Sequence, residues 1–394
     1  MGSKTDKRKK RKAAAEAEPA AAAPAEQQPA DAAASKKKQK HDGSSKQQQQ
    51  QPAAEAKAAP QPASPSSADE DEQRRPKGGP GRRFTVTMAV PGSIIDNTQN
   101  FEMANFVAGQ VARTAAVFNV DELVVVDDTP QRKDGTVGAG AAFLARVCQY
   151  LETPQYLRKA LIPMHPDLRL AGLLPPLDAP HHLRATEWQP FREGVVLKAE
   201  AGTGSFVDVG LDRTALVEGS LLTVNARVTL RLGESARVKF VESYGESMLL
   251  GEVVLPSAPR EEAGLYWGYA TRLAKGISGL VQGAPFEGGY DLKLGTSEHG
   301  QARSSARGAR GRVVLPGNLE LPRFKHLLIA FGGPEGLEDC LAHDKRFTKQ
   351  STTDVFDLYL NTCPGQGSRT IRTEEAVLIS MAYLQTAVVR FGER

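Results

Sequence analysis

"NTCPGQGSRTIRTEEAVLISMAYLQTAVV" (Asn361–Val389) joins a short apolar run to a long one through a segment of Gly, Ser, Thr and Arg. A chain reversal needs only a few residues, and this segment spends about a dozen. Its glycines let backbone groups approach a ligand closely, and Arg369 and Arg372 can meet an anion. The apolar stretch that follows, Ala376 to Val389, carries no charge. Its apolar periodicity predicts a closing helix, either a core helix or one face of an interface.

Working outward, the same arrangement recurs upstream. "YDLKLGTSEHG", "HLLIAFGGPEGLED" and "TDVFDLYLNTCPGQGSRT" each read as an apolar strand running into a small-residue loop. The loops are Gly295 to Gly300, Gly332 to Gly336 and Asn361 to Arg369. Each alone reads equally well as a turn or a helix cap. Three in succession predict a ligand site, because parallel α/β sheets bind ligands outside the carboxyl ends of their strands. The start of the ordered chain agrees. "RRFTVTMAVPGSIID" predicts a buried strand from Phe84 to Val90, broken by Pro91-Gly92. "FEMANFVAGQVARTAAVF" places Phe101, Phe106, Val107 and Val111 at helical spacing. "ELVVVDD" (Glu122 to Asp128) is a strand and "AAFLARVCQYLET" a helix. Alternating strands and helices predict an α/β fold with a parallel sheet.

The middle differs. "GVVLKAE", "GSFVDVGL", "TALVEG", "ARVTLRL", "ARVKFVES" and "SMLLGEVVL" are short β-rich runs between Gly194 and Leu255. They predict a small inserted barrel of OB-like type, either a single-stranded nucleic-acid platform or a structural insert. The expected organisation is a tail over 1–80, an α/β part over 81–190, the barrel over 191–258 and a second α/β part over 259–394.

Charge sharpens this division. Residues 1–83 hold 18 Lys/Arg against 11 Asp/Glu, and the rest 32 against 35, so the body must bind anions through local patches. The tail is Ala, Gln, Pro, Lys and Ser and cannot bury a core, so disorder is expected. "KRKKRK" (Lys7 to Lys12) and "KKKQK" (Lys36 to Lys40) read as a nuclear, even nucleolar, address or as a solubilising tail. Cys148, Cys340 and Cys363 form no CxxC pair, which fits a reducing compartment. No apolar run reaches membrane-spanning length, so a soluble, intracellular protein without membrane association is expected. No P-loop or HExxH occurs; "GAGAAF" (Gly138 to Phe143) reads as a helix-initiating loop. His181-His182 read as loop-shaping residues, and no metal is expected.

At "FGGPEGLED" and "NTCPGQGSRTIRTEEAVLIS" the chain resembles the SPOUT-class (α/β-knot) RNA methyltransferases. The subgroup it resembles is the SPOUT domain-containing methyltransferase 1, or centromere protein 32, family. "VPGSIIDN", "AGQVAR", "TPQYLRKALIPMHPDL", "AGLLPPLDAPHH", "FREGVV" and "AGLYWGYATRLA" extend the resemblance from Phe84 to the closing helix. It implies a trefoil knot built by the C-terminal strands and helix, a homodimer through that helix, and bound S-adenosylmethionine. Carried over by position, Gly332, Gly333 and Gly336 serve the first knot loop. Asn361, Thr362, Gly365 and Gly367 serve the second, with Ile371 behind them. "GTSEHG" departs from the family's GTSERG, so His299 stands where an arginine would face the cofactor carboxylate. A fixed charge is thereby replaced by a titratable one. The resemblance further implies methylation of uridine N3 in large-subunit rRNA. Glu374, Glu375 and Asp96 are candidate bases, although both glutamates also suit helix-start charge compensation. Arg113, Arg369 and Arg372 are candidates for RNA or base contact, or for structural ion pairs. The competing reading is an RNA-binding adapter associated with the spindle or kinetochore.

Overall fold

The computed structural model describes residues 81–129, 135–233, 236, 248–301, 316–347 and 350–393. The tail, its basic runs and most of "ARVKFVES" lie outside them. In chain order the strands are β1 (Thr85–Pro91), β2 (Glu122–Asp127), β3 (Phe191–Glu200), β4 (Gly204–Asp208), β5 (Ala215–Glu218), β6 (Arg227–Leu232), β7 (Leu249–Val254), β8 (Ala270–Lys275), β9 (Leu292–Gln301), β10 (His326–Ala330) and β11 (Leu358–Leu360). The helices are α1 (Ser93–Asp96), α2 (Phe101–Val117), α3 (Ala139–Glu152), α4 (Gln155–Leu161), α5 (Ala258–Ala263), α6 (Gly276–Gln282), α7 (Gly336–Ala342), α8 (Thr352–Val355) and α9 (Thr373–Phe391).

β1 is buried from end to end, as a central strand covered on both faces must be. It sits in a six-stranded sheet of order β11-β9-β10-β1-β2-β8, in which every pairing is parallel. Alternation along the strands divides the core in two. Val86, Met88, Val90, Leu123 and Val125 pack with α2, α3 and α9. Ala89, Val124 and Val126 face the other way, against Ile277 and Leu280 of α6 and Leu337 and Leu341 of α7. Asn100 starts α2 by accepting the Met103 N–H at 2.8 Å, a cap that contributes about 1 kcal/mol. The buried face of α2 is small: Ala104, Val107, Ala108, Val111, Ala112 and Ala115. Phe106, expected on that face, is instead 52% exposed; the apolar residues buried there are no larger than valine.

The inserted β-runs close into a five-stranded barrel of order β3-β4-β5-β7-β6, with β6 returning to β3 and β5 pairing parallel with β7. Val196, Val207, Val217, Leu230 and Leu249 fill it. A buried ion network fastens it to the α/β part. Arg227 on β6 donates to both carboxylate oxygens of Glu152 at the end of α3 (2.7 and 3.0 Å) and to Glu193 on β3 (2.6 Å). Glu193 also accepts from Thr229 and from the Trp267 indole, each at 2.6 Å. His181 and His182 both donate to the Glu152 carbonyl, at 3.0 and 2.7 Å, and so shape the loop behind that joint.

Two sequence expectations are corrected. "AGLYWGYATRLA", not read as a strand, supplies edge strand β8, because its alternating Ala270 to Lys275 run pairs with β2 in full register. The Gly295 to Gly300 segment is not a loop after a finished strand. It is an excursion within β9: Gly295 pairs with Tyr359 and Gln301 with the next residue, Leu360. Residues 296–300 are pushed out of the ladder, in the manner of an enlarged bulge.

Candidate cofactor and active site

The three C-terminal segments meet at the carboxyl ends of β9, β10 and β11, around a cavity of about 340 Å³. Thr296, Ser297, Glu298 and His299 of the β9 excursion form one wall. Phe331 to Gly336 after β10 form the second. Asn361, Thr362, Cys363, Gln366, Thr370 and Ile371 form the third, and Thr373, Ala376, Ile379 and Ser380 of α9 close the back.

The walls are tied to one another by side-chain hydrogen bonds. Thr373 donates to the Gly332 carbonyl at 2.9 Å, pinning the start of α9 to the second wall. The Thr362 and Ser380 hydroxyls lie 2.7 Å apart. Asn361 donates to the Glu298 carbonyl at 2.8 Å and accepts the Cys363 N–H at 3.0 Å, so one amide orders two walls. Tyr359 donates to Glu338 at 2.7 Å, and burial pushes its phenol pKa up.

Gly332 and Gly336 explain why the second loop is glycine. A Cβ on Gly332 would lie 2.5 Å from the backbone of Gly336 and Leu337. Gly336 has φ +85°, which disfavours a side chain. The result is a backbone-lined cradle at a helix-loop junction. Its chemistry is mixed: Phe331, Ile371, Ala376 and Ile379 are apolar, while Glu298, Glu335 and Glu338 are acidic. Arg369 and Arg372 stand exposed on the third segment.

Of the residues singled out from the sequence, His299, Gly332, Gly333, Gly336, Asn361, Thr362 and Ile371 line the cavity. Gly365 and Gly367 belong to the same loop without lining it; Gly365 serves the turn, at φ +83°. His299 is 77% exposed, 3.6 Å from Glu298. Glu375 accepts the Arg372 N–H at 3.0 Å and caps α9, and Glu374 lies beside Arg372; neither lines the cavity. Arg113 is elsewhere, donating to the Pro176 and Leu177 carbonyls at 3.0 and 2.7 Å, which fixes a loop against α2. Asp96 abuts Gly140 on α3, also away from the cavity. Sequence reasoning held Thr296 to Glu298 within the Gly295 to Gly300 loop without singling them out, and missed the α9 wall. The signal for the latter was present: Thr373, Ala376 and Ser380 are spaced as one helical face.

The joint at the barrel holds a larger cavity, about 580 Å³, lined by Asp121, Glu122, Glu152, Glu193, Arg227 and Arg260 among others. Each of these carboxylates is engaged by arginine: Arg82, Arg260, Arg272 or Arg227. No such mutual neutralisation occurs in the smaller cavity.

Residues 85–384 match the family described as "Putative RNA methyltransferase". A human 28S rRNA (uridine-N(3))-methyltransferase is 45% identical over 325 residues, covering 80% of this chain and 81% of the human one. The mouse protein of the same name is 44% identical over 325 residues, covering 80% and 79%. The Drosophila melanogaster protein of that name is 41% identical over 321 residues, covering 76% and 62%. The family match spans the parallel sheet, the barrel and α9 as far as Leu384, and the chain belongs to this family of RNA methyltransferases.

Proposed function

We propose that the chain transfers a methyl group from S-adenosylmethionine to N3 of a uridine in large-subunit rRNA, as a SPOUT-class enzyme of the centromere protein 32 family. The observation that carries the reading is the glycine cradle at three strand ends, coupled to the names of the relatives. The cavity fits the cofactor chemically: apolar side chains suit a purine, backbone groups beside Gly332 suit its edge, and the Glu298, Glu335 and Glu338 carboxylates suit a cationic sulfonium. The order β11-β9-β10, with Asn361 to Arg372 wrapping back toward α9, supports a trefoil knot. The barrel's strand order supports an OB-like insert that contacts RNA. The exposed uncharged first half of α9, including Leu378, suits a second copy of the chain. The basic runs of the tail suit nuclear import.

S-adenosylmethionine supplies an electrophilic methyl; an N–C bond forms at uridine N3 as the C–S bond breaks, and the N3 proton is released. That proton occupies the line the methyl must take, so it leaves before transfer. The chain's task is therefore to stabilise the imide anion, whose charge spreads onto two carbonyl oxygens. Arg369 and Arg372, fixed cations on the cavity's own loop, suit that task. Glu375 and Arg113 are committed to structural hydrogen bonds. Incubating the full chain with S-adenosylmethionine and an unmodified large-subunit rRNA transcript, then mapping methylated uridines, tests the reading. One uridine methylated at N3 is the expected product; methylation at carbon, at ribose, or nowhere contradicts it.

A further inference from the structure

The end of the molecule away from the cofactor cavity carries a second cation cluster. The chain enters β1 and leaves α9 at one place: the Phe84 N–H donates to the Glu393 carbonyl at 3.2 Å, and Gly392 bridges to Phe324. The Phe84 and Phe324 rings pack edge to face with centroids 5.6 Å apart. That buried pair fixes the origins of four exposed cations: Arg83, Arg323, Lys325 and Arg390. Among the described residues none of the four makes an ion pair. Arg390 lies over the Phe391 ring, 5.1 Å from its centroid. Of the neighbouring acids, Asp291 is occupied by the Lys325 and His326 backbone N–H groups at 2.8 and 2.6 Å.

Arg323 and Arg390 line a groove of about 570 Å³ together with Thr386, Val389 and Gly392, and no carboxylate lines it. Elsewhere this chain neutralises its arginines with buried carboxylates, as at Arg227 and Arg272. Clustered like charges without counterions raise the local potential and favour an anionic partner. Two guanidinium forks and a hydroxyl suit phosphate geometry.

We propose that this groove docks the phosphodiester backbone of the RNA whose base enters the cofactor cavity, an inference that rests on the methyltransferase reading. α9 sets the spacing: Thr373 to Ser380 wall the cavity and Thr386 to Arg390 line the groove, roughly 17 Å further along the helix axis. That span is on the scale of the RNA footprint of a small RNA-binding domain. The contact positions the RNA and carries no base information.

The test compares the full chain with the double variant Arg323→Gln/Arg390→Gln and with Arg323→Lys. Binding of the large-subunit rRNA transcript is measured from low to high salt, alongside S-adenosylmethionine affinity and oligomeric state. The double variant is expected to bind rRNA roughly tenfold more weakly near physiological salt, and to lower the log–log salt slope by roughly 1.5, the loss of two phosphate contacts. Cofactor affinity and oligomeric state should not change, and Arg323→Lys should keep most of the slope. An unchanged slope overturns the proposal. So does a changed oligomeric state, which would make the groove a protein interface. Wild-type chain that binds cofactor but no rRNA would overturn the substrate reading itself, and this docking contact with it.

Discussion

The cavity at the barrel joint and the cavity at the strand ends make opposite use of polar groups. At the barrel joint, the Glu152 and Glu193 carboxylates are buried and share Arg227, so the charges cancel within the protein. At the carboxyl ends of β9, β10 and β11, backbone is brought close by glycine, while His299, Arg369 and Arg372 stay exposed. A buried network that is fully satisfied specifies how two parts of a fold sit together. A lining that leaves donors and acceptors available specifies a ligand. Volume does not separate the two, since the joint holds the larger space, about 580 Å³ against 340 Å³.

The largest effect should come from filling the cradle. Gly332→Trp places a side chain where even a Cβ lies 2.5 Å from backbone. Methyl transfer is expected to fall at least ~1000-fold, about 4 kcal/mol, and the thermal midpoint to drop as well, because the Gly336–Leu337 backbone must shift to admit a side chain. A variant with full cofactor affinity would break the contrast.

Next comes the joint. Arg227→Gln leaves two buried carboxylates without their cation, at a cost of about 3–5 kcal/mol, and cofactor affinity of the folded fraction should hold. The pH dependence follows. Burial alone would raise the Glu152 pKa, yet Arg227 and His181 outweigh it and hold it at about 2, below its ordinary 4.5. The depressed value stabilises the fold above pH 4.5 by about 3 kcal/mol, lost as pH falls toward 2. Burial also holds His182 down at about 3 from 6.5, so acid destabilisation begins near pH 6.5. Thermal midpoints across pH 2 to 7 should fall steadily with acid in the wild type. In Arg227→Gln the drop between 4.5 and 2 should shrink to the part His182 supplies above pH 3; an undiminished drop would show that Arg227 is not its source.

Two smaller effects sharpen the working site. Arg372→Gln should lower methyl transfer about tenfold near neutral pH, roughly 1.4 kcal/mol of lost anion stabilisation. The loss should shrink at high pH, or on RNA carrying 5-fluorouridine, whose N3–H ionises more readily. A loss independent of pH and base acidity would place Arg372 on phosphate instead. His299→Arg places a fixed charge at the cavity edge and should tighten cofactor binding by about 0.5 kcal/mol, read by titration calorimetry. Unchanged affinity would remove His299 from the site.

Much of this was legible in the chain. The apolar runs of β1, β2, β10 and β11 and the uncharged stretch of α9 announced a buried parallel sheet and a closing helix. Gly332, Asn361 and Ile371 were placed by motif and found on the cavity. What could not be read was tertiary choice. Phe106 has the spacing of a buried residue, but the buried α2 face is filled by alanines and valines. Arg113 looks equally apt for RNA and for the Pro176 and Leu177 carbonyls until a loop 63 residues distant is seen beside it. The Gly295 to Gly300 segment was read as a ligand loop, but that it is an excursion within β9 depends on β11, which follows much later in sequence.

The central claim is that the cavity at the three strand ends holds S-adenosylmethionine. Titration calorimetry of the full chain and of Gly332→Trp with S-adenosylmethionine tests it most directly. The account predicts saturable binding at one site per chain, lost in Gly332→Trp although that variant stays folded. No binding to the folded wild type, or equal binding to both proteins, would contradict it.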